Sequence, residues 1–549
     1  MKSIDEAQSL AEIAEIEEAY NFQAKLAGWD VKTVLRDMYK DPSHFIYELL
    51  QNAEDTGATE VFMNLENDRF IFTHNGHDFS LDDIKGICKA GISAKTADKK
   101  GKFGVGFKAV YKITSKPTIS SGNYSFEIID YNVPKEVATD KVKGLTKIVL
   151  PFNLNTDYSE TYEIVKNGLR MIDDSSIMFL DYIKVINIKF EEESWEIKKS
   201  QVETKIDNSD DVKLYNINTE IGEEKKYYLL FQSSIKIENI YRNISIAYVD
   251  PKYDLEDDKI DTNMLSVFFP TELQTNLRFK INAPFNTTHT REQVSYNDDF
   301  NKKLLDKVVH LYSKTILILK DLEMLNVDLI YQFAIGTSNV SNDFYKRFHD
   351  ATIQVFNNNA VLPSTEYGYV NASISLLCRD KKIFMELLSD KDLKELFNGR
   401  YRWIDGTDVK TKRDDELRQF LTSVLGIIDV EFNTLNARLK ESFFDNKDDE
   451  WLKLFYKICI DNIGNIKNSP KPIIRTSDNK MKSPYVGYRN KIEPAVFLPS
   501  ELVKKNPNVI KNTFLSDETS MNLFTALGLK EADSLELIKL EWIPLLLDS

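Results

Sequence analysis

The stretch His44–Asp55, HFIYELLQNAED, constrains the fold more than any other part of the chain. It reads as a short helix: Asp41 suits the N-cap, Pro42 the first helical position, and Gly57 the stop. At about 100° per residue, Phe45, Ile46, Leu49, Leu50 and Ala53 share one arc, and Glu48, Gln51, Asn52 and Asp55 share the opposite one. A glutamate, an amide and an aspartate at i, i+4 and i+7 therefore line one face of a helix whose other face is buried. By itself the pattern fits any amphipathic helix. The segments after it decide what the polar face is for.

ATEVFMNL and DRFIFTHNG follow as two strands, then a Ser80-capped helix and a polar lid over roughly residues 82–100 that carries Ser93 and Lys95. GKFGVGFK comes next, with glycines at 101, 104 and 106 opening another helix, FKAVYKI. Glycine lets the backbone approach a phosphate closely, and a helix N-terminus offers free N–H groups and a positive dipole end. This is not the dinucleotide fingerprint, because no strand runs directly into it and no ribose-binding acid stands about 20 residues further on. GLTKIVL (Gly144–Leu150) then reads as a strand.

The order ELLQNAED, NG, GKFGVGFKAVY, GLTKIVL resembles the ATP-binding domain of the GHKL superfamily (gyrase, heat-shock chaperone, histidine kinase, MutL). Within it, the chain resembles the sacsin and NO VEIN type of heat-shock-chaperone-like ATPase over roughly Trp29–Gln293. The resemblance implies ATP and Mg²⁺ as ligands. It makes Glu48 the general base for the attacking water and Asn52 the Mg²⁺ ligand, with Asp55 supporting the pocket from the same helix. One amide can suffice because magnesium is held mostly by phosphates and waters. Gly101, Lys102, Phe103, Gly104, Val105, Gly106 and Phe107 form the implied phosphate-binding run, with Ser93 and Lys95 on the lid. Lys95 and Lys102 either touch phosphates or are solvated. Thr146 matches a threonine that helps hold adenine, although threonine also simply favours strands. Arg291, in NTTHTREQV, matches an arginine that swings in to the γ-phosphate when two domains close; an ordinary Arg–Glu surface pair is the competing account.

The departure lies at FTHNGHDF. The superfamily usually has an aspartate two positions before Gly76, where its carboxylate accepts the adenine amino group. Here His74 stands there, and Asp78 replaces the second glycine of the motif. An imidazole accepts one hydrogen bond only if the correct nitrogen is bare, so base selectivity is in question while ATP stays the implied ligand.

The rest of the chain fits a multi-domain α+β protein. Residues 1–28 read as an acidic helix over 3–26, packed on its own domain or reaching to a partner subunit. Residues 29–155 fit the α/β sandwich (Bergerat-type) ATPase domain and 156–325 a strand-rich transducer-like domain, with a helix at about 300–322. Two modules, 326–435 and 436–549, share an apolar helix ending in Leu-Gly (FLTSVLG, LFTALG), each preceded by a strand-and-turn stretch. KSPYVGYRNK, Lys482–Lys491, reads as a solvated loop. Three scattered cysteines form no metal or disulfide pattern. No apolar run approaches a membrane span, and the acidic N-terminus is the reverse of a targeting peptide, so the cytoplasm is the expected compartment. A net charge of −15 argues against extended nucleic-acid binding by this chain alone, leaving it indirect at most. The expected function is a slow ATPase whose cycle drives conformational change on a protein client or partner subunit, with a nucleotide-dependent homodimer in view. Its setting is chaperone-like or a bacterial antiviral defence complex. The alternative is a scaffold that binds nucleotide without turnover.

Overall fold

The computed structural model describes residues 3–28, 43–89, 106–138, 143–153, 158–207, 211–237, 240–253, 263–287, 294, 298–337, 340–364, 366–378, 381–399, 401–405, 412–488, 491–500 and 506–533. Asp41, Pro42, Ser93, Lys95, Gly101, Lys102, Phe103, Gly104, Val105 and Arg291 lie outside these residues. The protein is a mixed α+β structure in two compact units: Met1–Ile318 with Asn339–Phe348, and Leu319–Ser338 with His349–Ser549.

In chain order, the first unit runs through α1 (Leu10–Leu26), α2 (Phe45–Asp55), β1 (Glu60–Glu66), β2 (Arg69–His74), α3 (Leu81–Cys88), β3 (Thr118–Ser121), β4 (Tyr124–Ile129), β5 (Val133–Glu136), β6 (Thr146–Pro151), α4 (Tyr158–Arg170) and α5 (Asp174–Met178). It continues through β7 (Val185–Phe190), β8 (Glu193–Thr204), β9 (Val212–Ile221), β10 (Glu224–Ile237), β11 (Ile240–Val249), β12 (Met264–Val267), β13 (Phe269–Gln274), β14 (Lys280–Asn282) and all but the last residues of α6 (Asp299–Asp321). The strands form one sheet in the order β13-β12-β14-β11-β10-β9-β8-β7-β1-β2-β6-β3-β4-β5. Most pairs are antiparallel, but β1 and β7 run parallel, from Glu60↔Val185 to Leu65↔Phe190. That pairing carries the sheet from the strands expected in 29–155 into those expected in 156–325. Glu54, near the end of α2, secures the entry to β7: its carboxylate accepts the backbone N–H groups of Asp181, Tyr182 and Ile183 at 2.6, 2.9 and 2.9 Å.

Alternation in β1 and β2 decides which side faces the helices. Val61, Met63 and Leu65 are buried on one strand, and Phe70, Phe72 and His74 on the other. The five apolar side chains among them meet Phe45, Ile46, Leu49, Leu50 and Ala53 of α2 in one core, where Phe45 stands edge-on to Phe70 at 5.6 Å. Burying a large aliphatic or aromatic side chain is worth roughly 1.5–3 kcal/mol, so the apolar arc read from the sequence is what fixes α2 to the sheet.

Several local expectations change. The expected cap, Asp41, lies outside the described residues; His44, just before α2, has helical backbone and makes no side-chain cap. The N-terminal helix breaks at Ala7 into a 3-10 turn, Ile4–Glu6, and α1, because Ser9 starts a new cap on Glu12 N–H. That helix packs on β5 and α3 of its own unit. There Asn132 donates to buried Glu17 at 2.6 Å. FKAVYKI is a 3-10 helix, Gly106–Lys112. α4 and α5 are separate helices, since Asp173 caps the second by accepting the Ser175 and Ser176 N–H groups. β8 and β9 were not foreseen: both carry polar residues at nearly every other position.

The second unit is helix-rich with short strands and a core running from Leu376 to Leu529. Gly426 and Gly528 take φ of +69° and +76° after their Leu partners, as a helix stop requires. The two strand-and-turn stretches are small hairpins, Leu362–Ser364 with Gly368–Val370 and Ile474–Arg475 with Met481–Lys482. KSPYVGYRNK is a hairpin and not a loop: Tyr485–Tyr488 pairs with Lys491–Pro494. Tyr485 gives its hydroxyl hydrogen to the Leu527 carbonyl, and Lys482 donates to Asn508 Oδ1 at 2.8 Å, so both are structural.

Candidate functional site

α2 is the bar on which the site is built. Glu48, near its start, is only 5% exposed although it belongs to the polar arc. A glycine explains the space it occupies. A Cβ built on Gly106 would lie 1.9 Å from Glu48 Oε2 and 2.9 Å from its Cδ. The carboxylate therefore fills the space that any side chain at 106 would need, directly against the backbone that opens the 3-10 helix. His44, one turn earlier, brings Nε2 within 3.3 Å of Glu48 Oε1. Asn52 is half-buried one turn further on, and Asp55 is exposed at the end of the helix.

The helix ends as the sequence predicts. Gly57 has φ +70°, Ala58 N–H bonds back to Ala53 O at 3.1 Å, and Gly57 N–H to Glu54 O at 2.9 Å. This doubly bonded stop leaves Thr56 aimed at the far end of the site. Its hydroxyl donates to Ala53 O at 2.7 Å and stands 3.5 Å from His74 Nδ1. At a 1.5 Å rise per residue, Thr56 lies about 12 Å along the axis from Glu48, with Asn52 midway.

His74 is the last residue of β2. It is 2% exposed, and its Nδ1 is 3.2 Å from Gly76 N. Burial, and then the neighbouring His77, push its pKa down to about 4. Gly76 is required here, because a Cβ would lie 1.9 Å from Thr56 Oγ1. Across the β2–β6 ladder His74 pairs with Thr146, and across β3–β6 Thr146 pairs with Ser121. The Thr146 and Ser121 hydroxyls are 2.6 Å apart, and Ser121 Oγ also accepts Phe79 N–H at 2.9 Å. Asp78 is turned elsewhere: its Oδ1 accepts Gly144 N–H at 3.0 Å, and its side chain packs against Gly122.

Of the residues singled out in the sequence, Glu48 and Gly106 meet at one end of α2, and His74, Gly76 and Thr146 gather at the other. Phe107, next to Gly106, is buried in the core and not presented to a ligand. Thr56, Ser121 and Phe79, which organise the second end, were not foreseen. Only Thr56 had a signal, its place between the helix and the glycine stop. Lys108 belongs to the glycine-rich motif but turns inward, donating to Tyr131 O at 2.7 Å. Burial pushes its pKa down to about 8, against the opposing pull of Cys88 and Glu17.

Residues 29–254 match the family model described as the Sacsin domain. This part of the chain is similar to that family. Protein NO VEIN of Arabidopsis thaliana is 23% identical over 323 residues, which is 52% of this chain and 12% of that protein. Sacsin of Homo sapiens is 34% identical over 112 residues, 17% of this chain and 2% of that protein. The chain thus spans about an eighth or less of the length of these relatives. A solved structure titled as the N-terminal domain of a DNA repair protein aligns with a TM-score of 0.32 and 11% identity, covering 51% of this chain and 98% of that one. No helix among the described residues is long and apolar enough to cross a membrane.

Proposed function

We propose that the sacsin-like region binds a nucleoside triphosphate with Mg²⁺ along the polar face of α2 and hydrolyses it. ATP is the ligand that the motif order implies. The observation that supports this reading best is the fit of Glu48 against Gly106. A buried carboxylate is held beside a glycine backbone at a helix start, the kind of backbone that can cradle phosphate oxygens. Phosphoryl transfer needs little covalent help, so catalysis rests on positioning and charge neutralisation. In that scheme Glu48 orients the attacking water and takes its proton. Asn52 would hold Mg²⁺, which when bound neutralises phosphate charge. The half-buried amide between the two ends of the site suits that donor role. The Thr56–His74–Thr146 end would receive the base. Beyond the site, Arg291 is proposed to reach the γ-phosphate, and the cycle to act on a protein client or partner subunit.

The test is phosphate release under steady-state conditions with Mg²⁺ and a nucleoside triphosphate, for the wild type and Glu48→Gln. Slow turnover that falls by about 100-fold or more in the variant, with binding retained, is the expected result. Unchanged release in Glu48→Gln sinks the assignment of the base. Tight binding without wild-type turnover would favour the non-hydrolysing scaffold.

A further inference from the structure

We propose that the base end of this site selects a 6-oxopurine, hypoxanthine or guanine, over adenine, with His74 Nε2–H donating to the oxygen at C6. The inference rests on the reading of α2 as a nucleoside triphosphate site and deepens it.

The tautomer of His74 carries the argument. Gly76 N lies 3.2 Å from His74 Nδ1, and a backbone N–H can only donate. Nδ1 is therefore the bare nitrogen. Thr56 does not compete for it, because its single hydroxyl hydrogen goes to Ala53 O at 2.7 Å. A neutral ring with Nδ1 bare carries its hydrogen on Nε2. The ring stays neutral at physiological pH because its pKa is pushed down to about 4 by burial. His74 is 2% exposed, and among the described residues Nε2 has no hydrogen-bond partner. The Nε2 hydrogen is therefore the one the ring has left to give.

The neighbours reinforce the same polarity. Thr146 and Ser121 share one hydrogen bond at 2.6 Å, and Ser121 Oγ already accepts Phe79 N–H. Whichever hydroxyl donates within this buried pair, one hydroxyl hydrogen remains uncommitted. The loop's carboxylate, Asp78, is held towards Gly144 and Gly122, with Oδ1 accepting Gly144 N–H. The end of the site where an adenine amino group would need an acceptor thus presents an imidazole N–H and a hydroxyl hydrogen. An amino group facing Nε2–H sets donor against donor; a C6 oxygen makes a bond.

ITP differs from ATP at C6 as oxygen against amino, and unlike GTP it adds no amino group at C2, so it is the clean probe. Titrating the full chain with ATP, ITP and GTP, each with Mg²⁺, should give ITP tighter than ATP by about tenfold, the size of one buried hydrogen bond. GTP should also bind tighter than ATP. His74→Asp should reverse the ITP:ATP order. His74→Asn, whose amide offers either a donor or an acceptor, should bring the ratio near one and covers the case in which a buried aspartate prevents folding. Each variant's melting curve checks its fold. If triphosphates bind but ATP is as tight as ITP or tighter, or if His74→Asn leaves the ratio unchanged, the base assignment is overturned while the triphosphate site stands. If none of the three binds the wild type, the triphosphate site itself fails and this inference goes with it.

Discussion

Glu48 and Gly106 occupy one volume between them, and that makes position 106 a probe of the carboxylate. Gly106→Ala places a methyl group 1.9 Å from the present position of Glu48 Oε2. The end of the Glu48 side chain can swing away, so the fold should survive with little change in melting temperature. The carboxylate, however, leaves its place. A misplacement of about 1 Å costs on the order of 100-fold in rate. Triphosphate hydrolysis should fall by about that factor while nucleotide binding changes far less; equal loss of both would mean the glycine acts on binding alone. His74 gives a second prediction at this scale. Its folded pKa, about 4, lies below the ordinary 6.5 because burial penalises the charged ring. Between those values the unfolded chain binds a proton that the folded chain refuses, so stability rises with pH across pH 4–6.5 and is lost on acidification. The shift corresponds to about 3 kcal/mol. Urea unfolding at pH 7, 5.5 and 4.5 should show that loss in the wild type and much less of it in His74→Asn. The identities of Glu48, His74 and Thr146 were legible as letters in an ordered set of motifs. Most of their partners were not: Ser121 and Phe79 reach Thr146 only because β6 lies between β2 and β3, and no local spacing announces that.

Element by element, the sequence was clearest where burial is one-sided. β1, β2 and α2 alternate or recur with the period of their geometry, and their buried faces are those the letters name. β8 escaped because it holds strand geometry through pairing with its neighbours, with few apolar residues to mark it, and β9 because its apolar residues do not keep a strict alternation. The 3-10 form of Gly106–Lys112 escaped because an apolar run does not specify which hydrogen-bond ladder it will use. The end of α2 is the reverse case, where one glycine said enough. Nothing lies within 4 Å of a Cβ at Gly57, so Gly57→Ala meets no clash and pays only for the left-handed backbone, φ +70°. That penalty is roughly 1–2 kcal/mol. Chemical denaturation should give a loss of this size, with Gly57→Asn losing less because asparagine tolerates that region. Because Thr56 and Gly76 sit between this stop and His74, the alanine variant should also weaken nucleotide binding. Glycine at the equally uncrowded Gly222, φ +60°, is far from the site, and its replacement by alanine should cost similar stability with binding intact.

Across the whole first unit, β1 lies in the interior of the sheet, and this determines where the chain can be cut. A boundary at residue 155 is natural in the sequence, just after the last motif of the family resemblance. Yet β1 has β2 on one side and β7 on the other, and β7 begins at Val185. A chain ending at residue 155 would bare the β7-facing edge of β1 and remove Ile186, Ile188 and Phe190 from the core that holds α2. It would also leave Glu54 without the three N–H groups it now receives. An open edge beside a buried apolar face invites association with other chains. A chain ending at residue 205 restores β7 and ends the sheet on β8, whose Glu193, Glu196, Lys198 and Glu203 provide the charged edge that tolerates exposure. The expected outcome is therefore opposite behaviour from two chains that both contain every motif up to Thr146. The shorter should aggregate on size-exclusion chromatography and melt without cooperativity. The longer should run as a monomer with a cooperative transition, raised by nucleotide and Mg²⁺ if the site forms, since a ligand that binds only the folded state stabilises it. A monomeric, cooperatively melting chain of 155 residues would mean that β7 is an accessory to the site's scaffold and that the pairing of β1 with it contributes little.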